Sequence, residues 1–379
     1  MSYKIQCPIC ESIKVKLFIE RNEFFSISSD GSKILASPKT YFCKKCSFFF
    51  KLKNKLLLKK INNIYDSYQL YGTTLSETKL YSFLFDKFEK RSVIITKLLE
   101  QKKLLKKVHN YLDVGYGKAD LLLNLSRTFP DVNLYGHEHN QNQSTLLPYG
   151  KNIKKLYNGN INKIKQKFEF ISLLHVLEHV QNISSTLSNI YKMLNLDGLL
   201  LIQVPNIEEN IFDFTTYDHL YHFNKNNLIN LLNRYGFTLN KEYKLINKEL
   251  TLLFQKKDSI KNSKIFKTKK VIYKKYSLKN FFKKINNRVN RYDNISIFGA
   301  GQKGILLFNN LSNKEKIKFF IDEDKNKFNK NLCGVQIKNP KKINNSSKVL
   351  LIDEKKRMFR LSKKYPKINF IKFNCNNFF

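Results

Sequence analysis

The stretch 111–138 constrains the fold of this chain more than any other. Tyr111, Leu112 and Val114 read as a short apolar strand with Asp113 near its end. A tight Gly115-Tyr116-Gly117-Lys118-Ala119 turn follows, then a helix with Leu121, Leu122, Leu125 and Phe129 on one face. Pro130-Asp131 breaks that helix, and a second strand over 132–136 leads to His137-Glu138. Glycines in such a turn let the backbone approach a ligand closely. The free N–H groups of the helix start favour an anion. A carboxylate ending the second strand can accept two hydrogen bonds from a ribose diol. These residues alone leave open a Rossmann-type unit for some other nucleotide.

Alternation of helix and strand continues downstream. An apolar strand over Phe168–Leu174 runs into His175-Val176-Leu177-Glu178-His179, and Leu187, Ile190, Tyr191 and Leu194 then recur at helical spacing. Asp197-Gly198 turns into a strand over 199–204, closed by Pro205-Asn206. The segment Tyr217-Asp218-His219-Leu220-Tyr221-His222-Phe223 precedes a helix that Gly236 should stop, and two more strands follow at 238–245 and 250–255. This pattern predicts a mostly parallel sheet with helices on both faces. Ligands bind beyond the carboxyl ends of such strands, where Asp113, Glu138, His175, His179 and Asn206 fall.

Two Cys-x-x-Cys pairs, Cys7/Cys10 and Cys43/Cys46, flank strand-like segments and an Asp30-Gly31 turn. A two-residue spacer lets both thiolates of a pair face one metal, so the four predict a structural tetrahedral zinc site. Redox dithiols or degenerate knuckles are the other reading. A basic helix over 52–64 should follow, and Tyr65, Tyr68 and Tyr71 either line a pocket or pack as an aromatic face. Apolar positions across 76–107 predict one or two helices.

At 379 residues two or three domains are expected. The net charge of +39 would suit a nucleic-acid partner. However, the lysines are dispersed and outnumber arginine, whereas phosphate forks favour Arg, so most of the charge reads as solvated surface. No run of 18 apolar residues predicts a membrane helix, and the start MSYKIQCPIC lacks a signal-peptide core, so the expected location is cytoplasmic. The basic stretch 257–291 contains Leu278, Phe281, Phe282, Ile285 and Val289 at helical spacing. It reads as a connecting helix or as a contact for RNA or a membrane surface.

A second βαβ unit begins at Ile295. The strand Ile295–Phe298 opens a Gly299-Ala300-Gly301-Gln302-Lys303-Gly304 turn, a helix and another strand ending at Asp322-Glu323-Asp324. The turn has the glycine spacing and flanks of a nucleotide-binding loop; a purely structural Rossmann-like domain is the alternative.

Asp113 ahead of Gly115 and Gly117, with Ala119 as a third small residue, resembles the S-adenosylmethionine (SAM) loop of class I methyltransferases, which usually has Gly at 119. FISLLHVLEHV, LNLDGLLLIQVPN, DHLYHF and LLNRYGF extend that resemblance over roughly 110–255. Together with the paired cysteines, FGAGQKG and FFIDEDKNKFNKNLCGVQIKNP, nearly the whole chain is similar to the three-module C-methyltransferases that act on nucleotide-linked keto-deoxysugars. The resemblance implies an α/β protein with a zinc-ribbon domain over 1–60, a SAM-dependent methyltransferase core over 61–256, a basic helical linker over 257–292 and a second Rossmann-like domain over 293–379. It implies that Asp113, Gly115, Gly117, Ala119, Glu138 and His175 hold SAM. His219, His179, Asp218, Tyr68 and Tyr71 would handle the acceptor's proton and position the sugar, with His219 as general base. Gly299, Gly301, Lys303, Gly304 and His222 would meet the nucleotide-sugar between the two Rossmann-like domains. The family's Tyr-x-Glu-His is altered here: Thr216 falls on the Tyr, Asp218 replaces the Glu, and His222 stands where a later Tyr is expected. O-methylation of a sugar and methylation of ribosomal or transfer RNA therefore stay as alternatives, as does a binding protein that keeps the fold.

Overall fold

The computed structural model describes residues 5–66, 77, 79–139, 150–258, 278–343, 348–353 and 355–374. In chain order, β1 (Val15–Ile19), β2 (Phe25–Ile27), β3 (Ile34–Ala36), β4 (Thr40–Cys43) and β5 (Phe49–Lys51) precede α1 (Lys55–Asp66). Then come β6 (Lys79–Ser82), β7 (Lys87–Lys90), α2 (Arg91–Gln101), β8 (Asn110–Val114), α3 (Asp120–Thr128), β9 (Asn133–Glu138) and β10 (Ile153–Asn158). The middle continues with β11 (Phe168–Leu174), α4 (Ile183–Met193), β12 (Leu194–Pro205), β13 (Tyr221–His222), α5 (Lys225–Arg234), β14 (Phe237–Tyr243) and β15 (Glu249–Lys256). Last are α6 (Leu278–Val289), β16 (Ile295–Phe298), α7 (Gln302–Asn310), β17 (Ile317–Ile321), β18 (Asn331–Leu332), β19 (Val335–Lys338), β20 (Lys348–Asp353), α8 (Lys355–Lys364) and β21 (Asn369–Asn374).

The chain divides into two compact units, 1–17 with 40–210 and 218–270, and 18–39 with 211–217 and 271–379. A seven-stranded sheet, ordered β10-β9-β8-β11-β12-β15-β14, forms the centre of the first unit. Its first five strands run parallel, and β15 and β14 close the edge antiparallel. The order reverses between β8 and β11, the crevice where an open α/β sheet receives ligands. Tyr111 and Phe170, opposite each other on β8 and β11, stack within the core. Leu98, Leu122, Leu125 and Leu134 pack into the same buried cluster. In this unit β5 pairs with β4 on one side and β13 on the other, so the segment carrying His222 adds a strand to the cysteine-bearing sheet.

One local expectation is corrected. Residues 79–90 form the β6–β7 hairpin, and the helix starts only at Arg91. Leu80, Phe83, Leu84 and Phe88 fit a helical stripe, but Tyr81 meets both Phe83 and Phe88 edge-on, and Asp86 takes positive φ in the connecting turn. Aromatic pairing across the two strands and a turn that tolerates the left-handed region override helix propensity here.

The second unit holds a six-stranded sheet ordered β18-β19-β17-β16-β20-β21, parallel except at β18. The β2–β3 hairpin belongs to this unit although it lies far upstream: Asn310 on α7 exchanges side-chain hydrogen bonds with the backbone N–H and C=O of Phe25, both 2.9 Å. Leu278, Phe281, Phe282, Ile285 and Val289 are all buried, so the apolar stripe of α6 is packed within the unit. Among the described residues, no helix is long and apolar enough to cross a membrane.

Candidate functional site

Four parallel strands deliver the candidate residues to one edge of the first unit. Asp113 is buried near the end of β8, and Ser172 stands opposite it on β11. The Tyr111 hydroxyl donates to Ser172 Oγ at 2.7 Å, and Ser172 in turn donates to Asp113 Oδ1 at 2.6 Å. Burial raises Asp113 to about 7; the Ser172 hydrogen bond pulls the other way, and the charge of Glu138 adds to the rise. After β8, Gly115 has φ +77°, and a Cβ there would lie 2.4 Å from Val176 Cγ2. Its N–H donates to the His137 carbonyl at 2.7 Å, fastening the turn to β9. The Gly117 N–H donates to Glu138 Oε2 at 3.2 Å. Ala119, at φ +62°, is the N-cap of α3, so the left-handed position usually filled by glycine is met by alanine at some backbone cost. A Cβ on Gly136 would lie within 2.6 Å of the Tyr116 ring, which explains the glycine in β9. The turn thus brings Asp113, Gly115, Gly117, Ala119 and Glu138 together. A ligand carrying an amino-acid group and a ribose fits this donor and acceptor set.

His175 follows β11 with φ +55°. Its Nδ1 lies 3.0 Å from Glu178 Oε1 and its Nε2 3.2 Å from Glu249 Oε2, while Arg91 pairs with Glu249 Oε1 at 2.7 Å. Burial and Arg91 lower His175, but Glu249 and Glu178 outweigh them and raise it to about 9. Burial raises Glu249, yet Arg91 and His175 hold it down at about 2. His179 has its Nδ1 3.4 Å from Asp218 Oδ2 and 3.1 Å from the Tyr65 hydroxyl. Burial lowers His179, and Asp218 more than compensates, so it titrates above its ordinary value. The His179 and His219 rings meet edge to face, with centroids 4.5 Å apart. The Glu178 carbonyl accepts from Leu220 N–H at 2.7 Å, tying the turn after β11 to the segment before β13. His175, His179, Asp218 and His219 are therefore gathered at one place. Tyr65, read from the sequence as a pocket or packing residue, meets His179 here, and Glu178, Glu249 and Arg91 join the group without having been singled out in the sequence. Glu178 alone carried a signal, sitting inside the histidine pair; the others become neighbours only through sheet order.

Cys7, Cys10, Cys43 and Cys46 converge in the first unit. Their sulfurs all lie within 4.8 Å of one another, with Cys7–Cys46 and Cys10–Cys43 each at 3.5 Å. A tetrahedron of thiolates about 2.3 Å from zinc has sulfur–sulfur edges of roughly 3.8 Å, so the set fits one ion and leaves no open position. The four are free thiols, far beyond disulfide length.

In the second unit, Gly299 has φ +102° and Gly301 precedes the first turn of α7. A Cβ on Gly304 would come within 2.0 Å of the Gly299 carbonyl, so Gly304 is needed for helix–strand packing whether or not a ligand binds. The Ala300 N–H donates to Asp322 Oδ2 at 2.8 Å, and Lys303 Nζ lies 3.8 Å from Asp353 Oδ1. His222 is fully buried in the first unit, opposite Phe49 on β5. Tyr68 and Tyr71 lie outside the described residues.

No curated protein matches the chain. Among solved structures it is similar to PigF with SAH (14% identity, TM-score 0.37), covering 44% of this chain and 55% of that one. It is also similar to the magnesium protoporphyrin IX methyltransferase of Synechocystis with bound SAH (15%, TM-score 0.34; 44% and 81% covered). Human N-acetylserotonin methyltransferase in complex with SAM gives 15% identity and a TM-score of 0.37, with 44% and 51% covered. The chain thus spans only about half of the first of these proteins. The family model for a methyltransferase domain matches residues 82–242, which hold the whole 111–138 unit and the histidine cluster, and the chain therefore carries a methyltransferase domain.

Proposed function

We propose that the protein transfers the methyl group of SAM to a nucleotide-linked sugar, with C-methylation of a keto-deoxysugar as the favoured reaction. The observation that carries this reading is the cradle of Asp113, Gly115, Gly117 and Glu138 at the reversal point of a parallel sheet, inside a methyltransferase domain. Asp113 and the 115–119 turn would hold the methionine part of SAM, and Glu138 would accept from the ribose hydroxyls. SAM supplies a methyl carbon already activated by its sulfonium, so the protein's task is alignment of donor and acceptor.

A keto-sugar acceptor must lose a proton from the carbon beside its carbonyl before that carbon can take the methyl group. His219 is the base in this reading, with His179 as the second candidate; both lie within the matched methyltransferase domain, their rings meet edge to face, and Asp218 stands 3.4 Å from His179 Nδ1. Gly299, Gly301, Lys303 and Gly304 of the second unit would take part in acceptor binding, and the four cysteines would hold a structural zinc. A sugar hydroxyl as acceptor is the second reading, favoured by the replacement of Glu by Asp218. The test is incubation of the full chain with SAM and a panel of nucleotide-linked keto-sugars, followed by mass spectrometry. The expected product is heavier by one methylene unit, with the added carbon attached to ring carbon. Methyl transfer to RNA, with a steep salt dependence and none to any sugar, would overturn the reading.

A further inference from the structure

Glu178 is fully buried; His175 Nδ1 lies 3.0 Å from Oε1, and among the described residues Oε2 has no hydrogen-bond partner. The charges acting on Glu178 are those of His175, His179 and His219. His175 is shared between Glu178 and Glu249, and Arg91 is engaged by Glu249, so two buried carboxylates draw on one imidazole and one guanidinium. A buried carboxylate that shares its partner is costly to keep charged, and a bound cation would offset that cost.

Ligand atoms of Glu178, His179 and His219 lie within 4.8 Å of one another. We propose that these three residues bind a divalent first-row transition cation, a site distinct from the four cysteines. Two imidazoles and one carboxylate are the donors of facial metal sites that keep open positions. Small rotations would bring the three atoms to the roughly 2.0–2.2 Å at which such ions bind N and O ligands. The surroundings are those of oriented ligands. Asp218 Oδ2 and the Tyr65 hydroxyl lie at His179 Nδ1, which leaves Nε2 for the ion. His175 backs the Glu178 carboxylate. The rings of His179 and His219 stand at 88° to each other, and the hydrogen bond from Leu220 N–H to the Glu178 carbonyl holds their two segments together.

The open positions would take water or an oxygen of the acceptor, at the ligand edge of the sheet. A cation there would acidify a hydroxyl or polarise a keto oxygen, and the acceptor's proton would pass to a water or hydroxide at an open position, with His219 serving as a ligand in place of its role as base. The site goes beyond the methyl-transfer reading, and binding of the ion does not depend on it.

The test uses the full chain with its cysteines loaded with zinc, titrated with Co²⁺ and followed by absorption and by metal analysis after dialysis. One further equivalent is expected, with ligand-field bands but no thiolate charge transfer. Glu178→Gln and His219→Gln should each lose that equivalent and keep the cysteine-bound zinc; Cys10→Ser should do the reverse. Far-UV circular dichroism checks folding, and if Glu178→Gln does not fold, His219→Gln decides alone. No Co²⁺ bound beyond the cysteine site, or a second equivalent that survives both substitutions, would overturn the proposal. SAM binding by the same protein is measured separately, so failure of the metal site leaves the methyl-transfer reading standing.

Discussion

Asp113 shows how burial sets the behaviour of a single residue. Its carboxyl is raised from 3.8 to about 7, first by desolvation. Between those values the folded chain keeps a proton that the unfolded chain has released. The stabilising contribution is therefore complete below 3.8 and is lost as the pH rises through about 7. Asp113→Asn should lose this dependence, so its stability relative to the unsubstituted protein should improve from pH 4 to 7 in urea titrations; parallel curves would refute the assignment. His219→Ala should lower turnover by roughly 10²–10⁴ with SAM affinity nearly unchanged. Near-normal turnover in that variant, with a large loss in His179→Ala, would transfer the proton-handling role to His179. Asp113 and Glu138 could be singled out in the sequence because one stands just before the glycine turn and the other closes the second strand of the unit. Ser172, which shapes the acidity of Asp113, was not, because its placement depends on the register between β8 and β11.

At the scale of elements, the turn between β8 and α3 combines two kinds of constraint. Gly115 is held by positive φ and by the absence of room beside Val176. Ala119 carries left-handed strain. Ala119→Gly should relieve roughly 1 kcal/mol of that strain, partly offset by the greater freedom of glycine when unfolded; a modest rise in Tm is the expected result, and a fall would contradict it. Gly115→Ala should destabilise the turn and weaken SAM binding together. Most strands of both sheets could be read from apolar runs and their Gly, Pro and Asp punctuation. The β6–β7 hairpin could not, because four apolar residues at 80, 83, 84 and 88 satisfy both a helical stripe and a pair of short strands. Only cross-strand aromatic contacts decide between them.

For the whole molecule, the order of segments in sequence conceals how they assemble. Residues 18–39 lie between the cysteine pairs yet belong to the unit built around 271–379, as do 211–217. Cutting the chain near Asn290 would strip the β2–β3 hairpin of α7, so substitutions in the full chain are the cleaner test of acceptor binding. Metal analysis bears on the N-terminal cysteines: loss of one zinc in Cys43→Ser, with reduced thermal stability, is expected if they hold a structural ion. The central claim is that the 111–138 unit binds SAM through the cradle ending at Glu138. Calorimetric titration of SAM into the full chain and into Glu138→Ala tests it most directly. Charge-assisted hydrogen bonds contribute about 1.5–3 kcal/mol each, so the account predicts saturable binding that weakens on the order of ten- to hundredfold in the variant. No binding by the unsubstituted protein, or the same affinity in both, would contradict it.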